Sequence, residues 1–360
     1  MRVLAVVAVI AAVSLATSAR ACMWDVDTLA EEAAAMPGVR AAIAGDFPRH
    51  SPAYYRWRIR DRLAAIAAGD HDLRHYDDLV VAYDKLGDTA QAIAWAEKAA
   101  ARQADRYETE ANWGTVLIHG GLYADGLAHL RRAVAINPDA HFGRERYQIL
   151  LVEYVIARRS REGAPALPLS PWPRRADRYA DFGQMVLFAA LDRAAGDPAQ
   201  VDRDRELRAA VRGVVGMIRF GHHDSPVLME ALGDLLAEQR HAHLAARAYS
   251  RAALSDKAVE DPYVQLANGV APYTPAEMAQ MNAQRDRLPP IVANSHDTVA
   301  SERLMLIYRA LLDEIAAGDD LQQRIAADET RWIAAAADVD TLYQRTYLTP
   351  APTGERIRSR

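Results

Sequence analysis

The sequence predicts an all-α chain built from stacked helix–turn–helix units. Three observations carry this. Alanine, the best helix former, recurs throughout the 360 residues. Beyond residue 20, runs rich in Val, Ile, Thr and aromatic residues, which mark strands, are nearly absent. A pattern of apolar and small residues also returns after 34 positions, a period that belongs to repeat architectures. A hydrophobic content of 51% supplies a sizeable core, and 25% charged residues with a net charge of -5 argue against bulk disorder. The mild acidity argues against a nucleic-acid partner, which calls for a basic surplus.

In chain order, residues 1–21 read as an export signal. Arg2 is a minimal basic start, and residues 3–16 are apolar apart from Ser14. That run is shorter than the roughly 20 residues of a membrane span. Ala16-Thr17-Ser18 and Ala19-Arg20-Ala21 both offer small residues for cleavage. Cys22, the single cysteine, sits at this junction as a candidate lipidation site. Ala21 suits that modification, Ala19 fits weakly and Arg20 fits poorly. A lone cysteine makes no internal disulfide, so stability must come from packing. Residues 22–72 are expected to form N-terminal capping helices. Thr28 and Glu31 make a capping box that starts one at Leu29, and Pro37-Gly38 ends it.

A second capping helix starts at Ser51-Pro52, with Tyr55, Ile59, Leu63 and Ile66 as its apolar stripe. Arg49, Arg56, Trp57, Arg58 and Arg60 surround that stripe. Arginine forks suit carboxylates and phosphates, so this cluster is a candidate anion or acidic-peptide site. The preferred reading is a capping surface whose arginines pair with nearby acids such as Asp61, Asp77 and Asp78.

The repeat lies in residues 73–160. Residues 73–106 align with 107–140: Leu79-Val80 with Trp113-Gly114, Tyr83 with Leu117, Gly87 with Gly121, Ala92 with Gly126, and Ala99 with Ala133. Tyr76, Leu79, Val80 and Tyr83 form one helix face, and Gly87-Asp88 breaks the helix into a turn. Pro138 stops the second unit, because it has no N–H to donate and its ring clashes with the preceding turn. Residues 141–159 follow as a third amphipathic helix with Tyr147, Leu150, Leu151 and Tyr154 on one side, and Asp139 as its cap.

Four prolines within 161–177 deny helix and favour an extended connector between two helical lobes. The second lobe covers 178–347. Within it, residues 226–259 repeat the pattern, with Leu232-Gly233 in the place of Trp113-Gly114 and Leu236, Ala245, Tyr249 and Ala252 following at the same offsets. Further helices are expected near 275–286, 299–316 and 319–345, and residues 348–360 as a flexible tail. These units resemble the tetratricopeptide repeat (TPR), a 34-residue helix–turn–helix module. Phrases such as "CMWDVDTLAEEA" and "RFGHHDSPVLMEALGDLL" resemble an uncharacterised group of exported bacterial repeat proteins. The resemblance implies an α-solenoid whose first helices line a concave peptide-binding groove. By position, Asp77, Asp84, Glu108, Asn112, Thr115, His119 and Glu145 would line it, with Glu230, Asp234 and Glu238 in the later unit. This acidic lining suits a basic or neutral partner.

No hydrolase, dinucleotide, nucleotide-binding, haem or zinc-cysteine signature occurs in the sequence. The expectation is therefore an exported, non-enzymatic scaffold that binds a protein or peptide, with no cofactor and no metal. Periplasm or secretion is its expected place, with membrane attachment only through a lipidated Cys22. One alternative is a metal-assisted hydrolase using His222, His223 and Asp224, since His and Asp together bind zinc. Another is a self-associating structural protein of the envelope.

Overall fold

The computed structural model describes residues 36–138, 140–158, 166–170, 180–270 and 297–348. The signal segment, Cys22, the Thr28 capping box, Asp139, the helix expected at 275–286 and all but the first residue of the tail lie outside these. Of the connector, only residues 166–170 fall within them. The described residues form an all-α solenoid of packed helix pairs, with no strand among them. No described helix is long and apolar enough to cross a membrane.

The period appears directly in the helix boundaries. Helices α1 (Val39–Ala44) and α2 (Pro52–Ala67) precede α3 (Leu73–Lys85) and α4 (Thr89–Arg102). The boundaries of α3 and α4 recur 34 residues later as α5 (Tyr107–His119) and α6 (Tyr123–Ile136). The caps follow from local chemistry. Ser51 accepts from the Tyr54 N–H at the start of α2, Asp72 from Arg74 N and Asp88 from Gln91 N.

Each pair closes tightly where its sequence is smallest. A Cβ on Gly114 would lie 2.9 Å from the Gly126 carbonyl oxygen, and one on Gly126 would lie 2.8 Å from that of Gly114. The α5 and α6 backbones touch there. In the later unit, a Cβ on Gly233 would meet the Tyr249 ring at 2.6 Å. Helix α7 (Arg144–Ala157) follows a short 3-10 turn and buries Tyr147, Leu151 and Tyr154, the face expected of it.

Beyond the connector come α8 (Phe182–Arg193), α9 (Arg203–Phe220), α10 (Pro226–Glu238), α11 (Ala242–Ala253) and α12 (Glu260–Val270). Ser225 caps α10 ahead of Pro226. The main cluster of buried apolar residues runs from Ile43 through Ile118, Tyr147, Val214 and Leu232 to Leu311, so it spans both sides of the connector, while α3 and α4 pack in a second cluster around Tyr76, Leu79 and Trp95.

The C-terminal helices differ from expectation. Residues 297–334 form one helix, α13 (Asp297–Ala334), without a break near residue 318. Gly318 serves contact here, not a turn: a Cβ there would lie 2.9 Å from the Gly45 carbonyl oxygen, so α13 runs directly against the end of α1. The break comes later, at Ala336 with φ 50°, and Asp338 caps the short α14 (Val339–Tyr343).

At about 1.5 Å per residue, α13 is on the order of 57 Å long. It packs on α12 and α11 at one end and on α2 at the other. Its side chains mark the route. Glu314 binds Arg247 and Arg40, Gln322 donates to the Arg49 carbonyl, and Glu329 receives His50 and Ser51. This helix therefore straps the late units to the first. It also corrects the expected apolar face of α2. Tyr54 and Arg58 are fully buried against α13 and α14, while Leu63 stays exposed and Tyr55, Ile59 and Ile66 pack half-buried towards α3 and α4.

Candidate functional site

The residues expected to line a groove sit on α3, α5 and α7, and most of them are buried and paired inside the chain. Arg106 bridges Asp77 at 2.6 Å and Glu108 at 3.2 Å. Burial outweighs that guanidinium and pushes the Asp77 carboxyl up to about 7. The Gln148 amide donates to Thr115 at 3.1 Å, and Arg144 approaches Glu145 at 3.5 Å. Asn112 is buried, and Glu108 keeps about a quarter of its side chain accessible.

The array also closes on itself. Lys85, at the end of α3, donates to the backbone carbonyls of Phe220 and Gly221 at 2.5 and 2.6 Å. The turn between α9 and α10 is thereby held against the first repeat.

In the later unit the chain covers its own acidic face. Glu230 accepts from the backbone N–H groups of Leu169 and Ser170, at 2.9 and 2.6 Å, and from the Tyr263 hydroxyl at 2.7 Å. Burial raises the Glu230 carboxyl above its usual range, although those hydrogen bonds oppose the shift. Asp234 accepts from Ser170, Phe182 N and the Tyr249 hydroxyl. The connector is thus seated on α10 by two buried carboxylates. Glu238 pairs with Arg203.

The five-residue arginine–aromatic cluster divides between two faces. Arg58 points inward to Asp78 at 3.3 Å and Asp340 at 2.8 Å, beneath the Tyr54 and Trp57 rings. Arg49 donates to the carbonyls of Gly45 and Phe47, and burial lowers its pKa. Trp57 is half-buried, while Arg56 and Arg60 are exposed. The outward anion surface of that cluster therefore reduces to two arginines. Of the acids named as their partners, Asp78 also receives Arg62, which pairs with Asp61 as well.

The adjacent histidines diverge. His223 lies against Gly45 and feels Arg49, Arg251 and Lys85; burial first, then these cations, lowers its pKa to about 4. His222 turns the other way and meets the His119 ring edge-on at 5.2 Å. His119 in turn holds Asp84, Nδ1 to Oδ1, at 2.7 Å. Asp84, His119 and His222 each offer one ligand atom within 4.8 Å of the others, and no other such group of three occurs among the described residues.

By sequence position, Asp84 and His119 belong to the expected groove and His222 to a separate cluster. The first pairing had a signal, since the two residues lie one position off the 34-residue register on neighbouring helices. The approach of His222 had none, because it depends on the closing of the array. Comparisons with protein families, with curated proteins and with solved structures give no match to this chain.

Proposed function

We propose that the chain is an exported, non-enzymatic scaffold of the TPR type that binds a protein or peptide. The helix-pair register supports the architectural half of this reading. One surface observation supports the binding half. On α13, Met305, Leu306 and Leu312 are uncovered, with Leu306 67% exposed. Leu306 borders a cavity of about 350 Å³ that is also lined by Arg40, His243, Leu244 and Arg247. Large exposed apolar side chains grouped beside a cavity are a feature of interaction sites. The concave acidic lining offers less, because its carboxylates are committed to partners within the chain. The favoured binding face is therefore the outer side of α13, and its apolar lining suits an apolar segment of the partner, since Arg40 and Arg247 beside it are already paired with Glu314.

Capture from envelope extract tests this, using the intact chain and a Met305→Asp, Leu306→Asp variant. Proteins retained by the former and lost by the latter are expected. The same set in both would overturn the face. No protein retained beyond an unrelated helical control would overturn the scaffold reading. Sedimentation over a concentration range identifies the case in which the partner is a second copy of this chain.

A further inference from the structure

We propose that Asp84, His119 and His222 form a site for one divalent transition metal of the zinc type, with a fourth position open to water. This goes beyond the scaffold reading and does not depend on it.

Three elements converge to make the site. Asp84 comes from the last turn of α3, His119 from the last residue of α5 and His222 from the turn between α9 and α10. Lys85 fixes that turn through the Phe220 and Gly221 carbonyls, so the position of His222 is built into the fold.

The second observation is an orphan. Asp84 is 4% exposed, its Oδ1 meets His119, and its Oδ2 is buried without a hydrogen-bond partner. A buried carboxylate oxygen left in this way is costly unless something completes it, and a cation beside it does so. Lys85 does not, because its ammonium is engaged by the two carbonyls.

The donor set selects the metal class. Two imidazoles and one carboxylate, without thiolate, suit zinc and its neighbours, whereas calcium and magnesium need more oxygens. Zn–N bonds of about 2.0–2.1 Å place tetrahedral ligand atoms roughly 3.4 Å apart. The cluster, now within 4.8 Å, must therefore close inward slightly. Asp84 and His119 are held in the core, so the shift falls to the half-buried His222 side chain on its anchored turn. Three protein ligands leave one position for water, the arrangement of open rather than closed zinc sites.

Untagged protein stripped with a chelator tests the site. Titration with Co²⁺ is expected to give one equivalent with intense visible bands of tetrahedral type, displaced by Zn²⁺. Replacing His222 with Ala should weaken binding by more than about 100-fold, beyond the 10–100-fold effect of an outer-shell residue. Replacing exposed His241 with Ala should leave binding unchanged. Unaltered affinity in His222→Ala would overturn the proposal. So would weak octahedral bands alone in the parent chain, an outcome readable even if a variant fails to fold. His119→Gln supplies a second ligand substitution whose unchanged affinity would be equally decisive.

Discussion

At Gly114 and Gly126 the backbones of α5 and α6 come close enough that neither position accepts a side chain. Alanine at 114 would gain about 1 kcal/mol in helix propensity. Its methyl group would meet a backbone oxygen 2.9 Å away, which cannot rotate aside as a side chain would. Overpacking costs about 1–3 kcal/mol, and this contact belongs at the upper end. Gly114→Ala is therefore expected to lower the urea midpoint, and a variant as stable as the parent would contradict the close approach. Asp77 makes a different prediction. Burial raises its carboxyl to about 7, against about 4 in an unfolded chain. Unfolding therefore releases its proton between those values, and the contribution of Asp77 to stability is lost as pH rises from about 4 through about 7. Asp77→Asn does not titrate, so its melting temperature should gain on that of the parent across that window. A constant difference between the two melting curves would rule the shift out. Residues of the first kind were legible, because alignment at 34 residues places Gly126 opposite Ala92 within a local pair. Burial of Asp77 was not, since the sequence shows the acid but not that Arg106, ahead of the next helix, folds back onto it.

Among the elements, α13 departs furthest from its sequence reading. Glycine at 318 looks like a helix stop, yet here it admits the backbone of Gly45. Propensity yields to a contact whose partner lies more than 270 residues earlier in the chain. The far end of α13 is fixed by Glu329, which is fully buried. Glu329 meets His50 Nδ1 at 2.5 Å and accepts from Ser51 N at 2.8 Å. His50 is held between the Tyr54 and Tyr343 rings, with centroids 3.6 and 3.8 Å away. Removing one member of a buried pair costs about 3–5 kcal/mol, because the other is left without compensation. Glu329→Ala should destabilise the chain by that amount and raise amide exchange over residues 321–343. Exchange that rises evenly through the molecule would show that Glu329 does not specifically dock the strap. The helix starts at Ser51 and Ser225 were readable beforehand, since a cap is a property of four adjacent residues. A strap is not.

For the molecule as a whole, the strap alters how a repeat array should unfold. An open solenoid is nearly one-dimensional: each unit touches only its neighbours, and its ends can fray independently. Here the late units are tied to the first by Glu314 with Arg40 and Arg247, by Gly318 on Gly45, and by Glu329 at His50. Lys85 adds a direct link from the end of α3 to the turn before α10. The main core also crosses the connector without interruption, from Ile118 in α5 to Leu311 in α13. Fraying from either end would expose surface that belongs to the other, so the described units should melt together. Calorimetry of the intact chain is expected to show one transition, with calorimetric and van't Hoff enthalpies in agreement. Lys85→Met and Glu329→Ala together should remove two of the ties and separate the α3–α4 region as an earlier transition. Two resolved transitions in the parent chain would mean that the ties do not couple its ends, and that the array behaves as the open solenoid its period alone suggests.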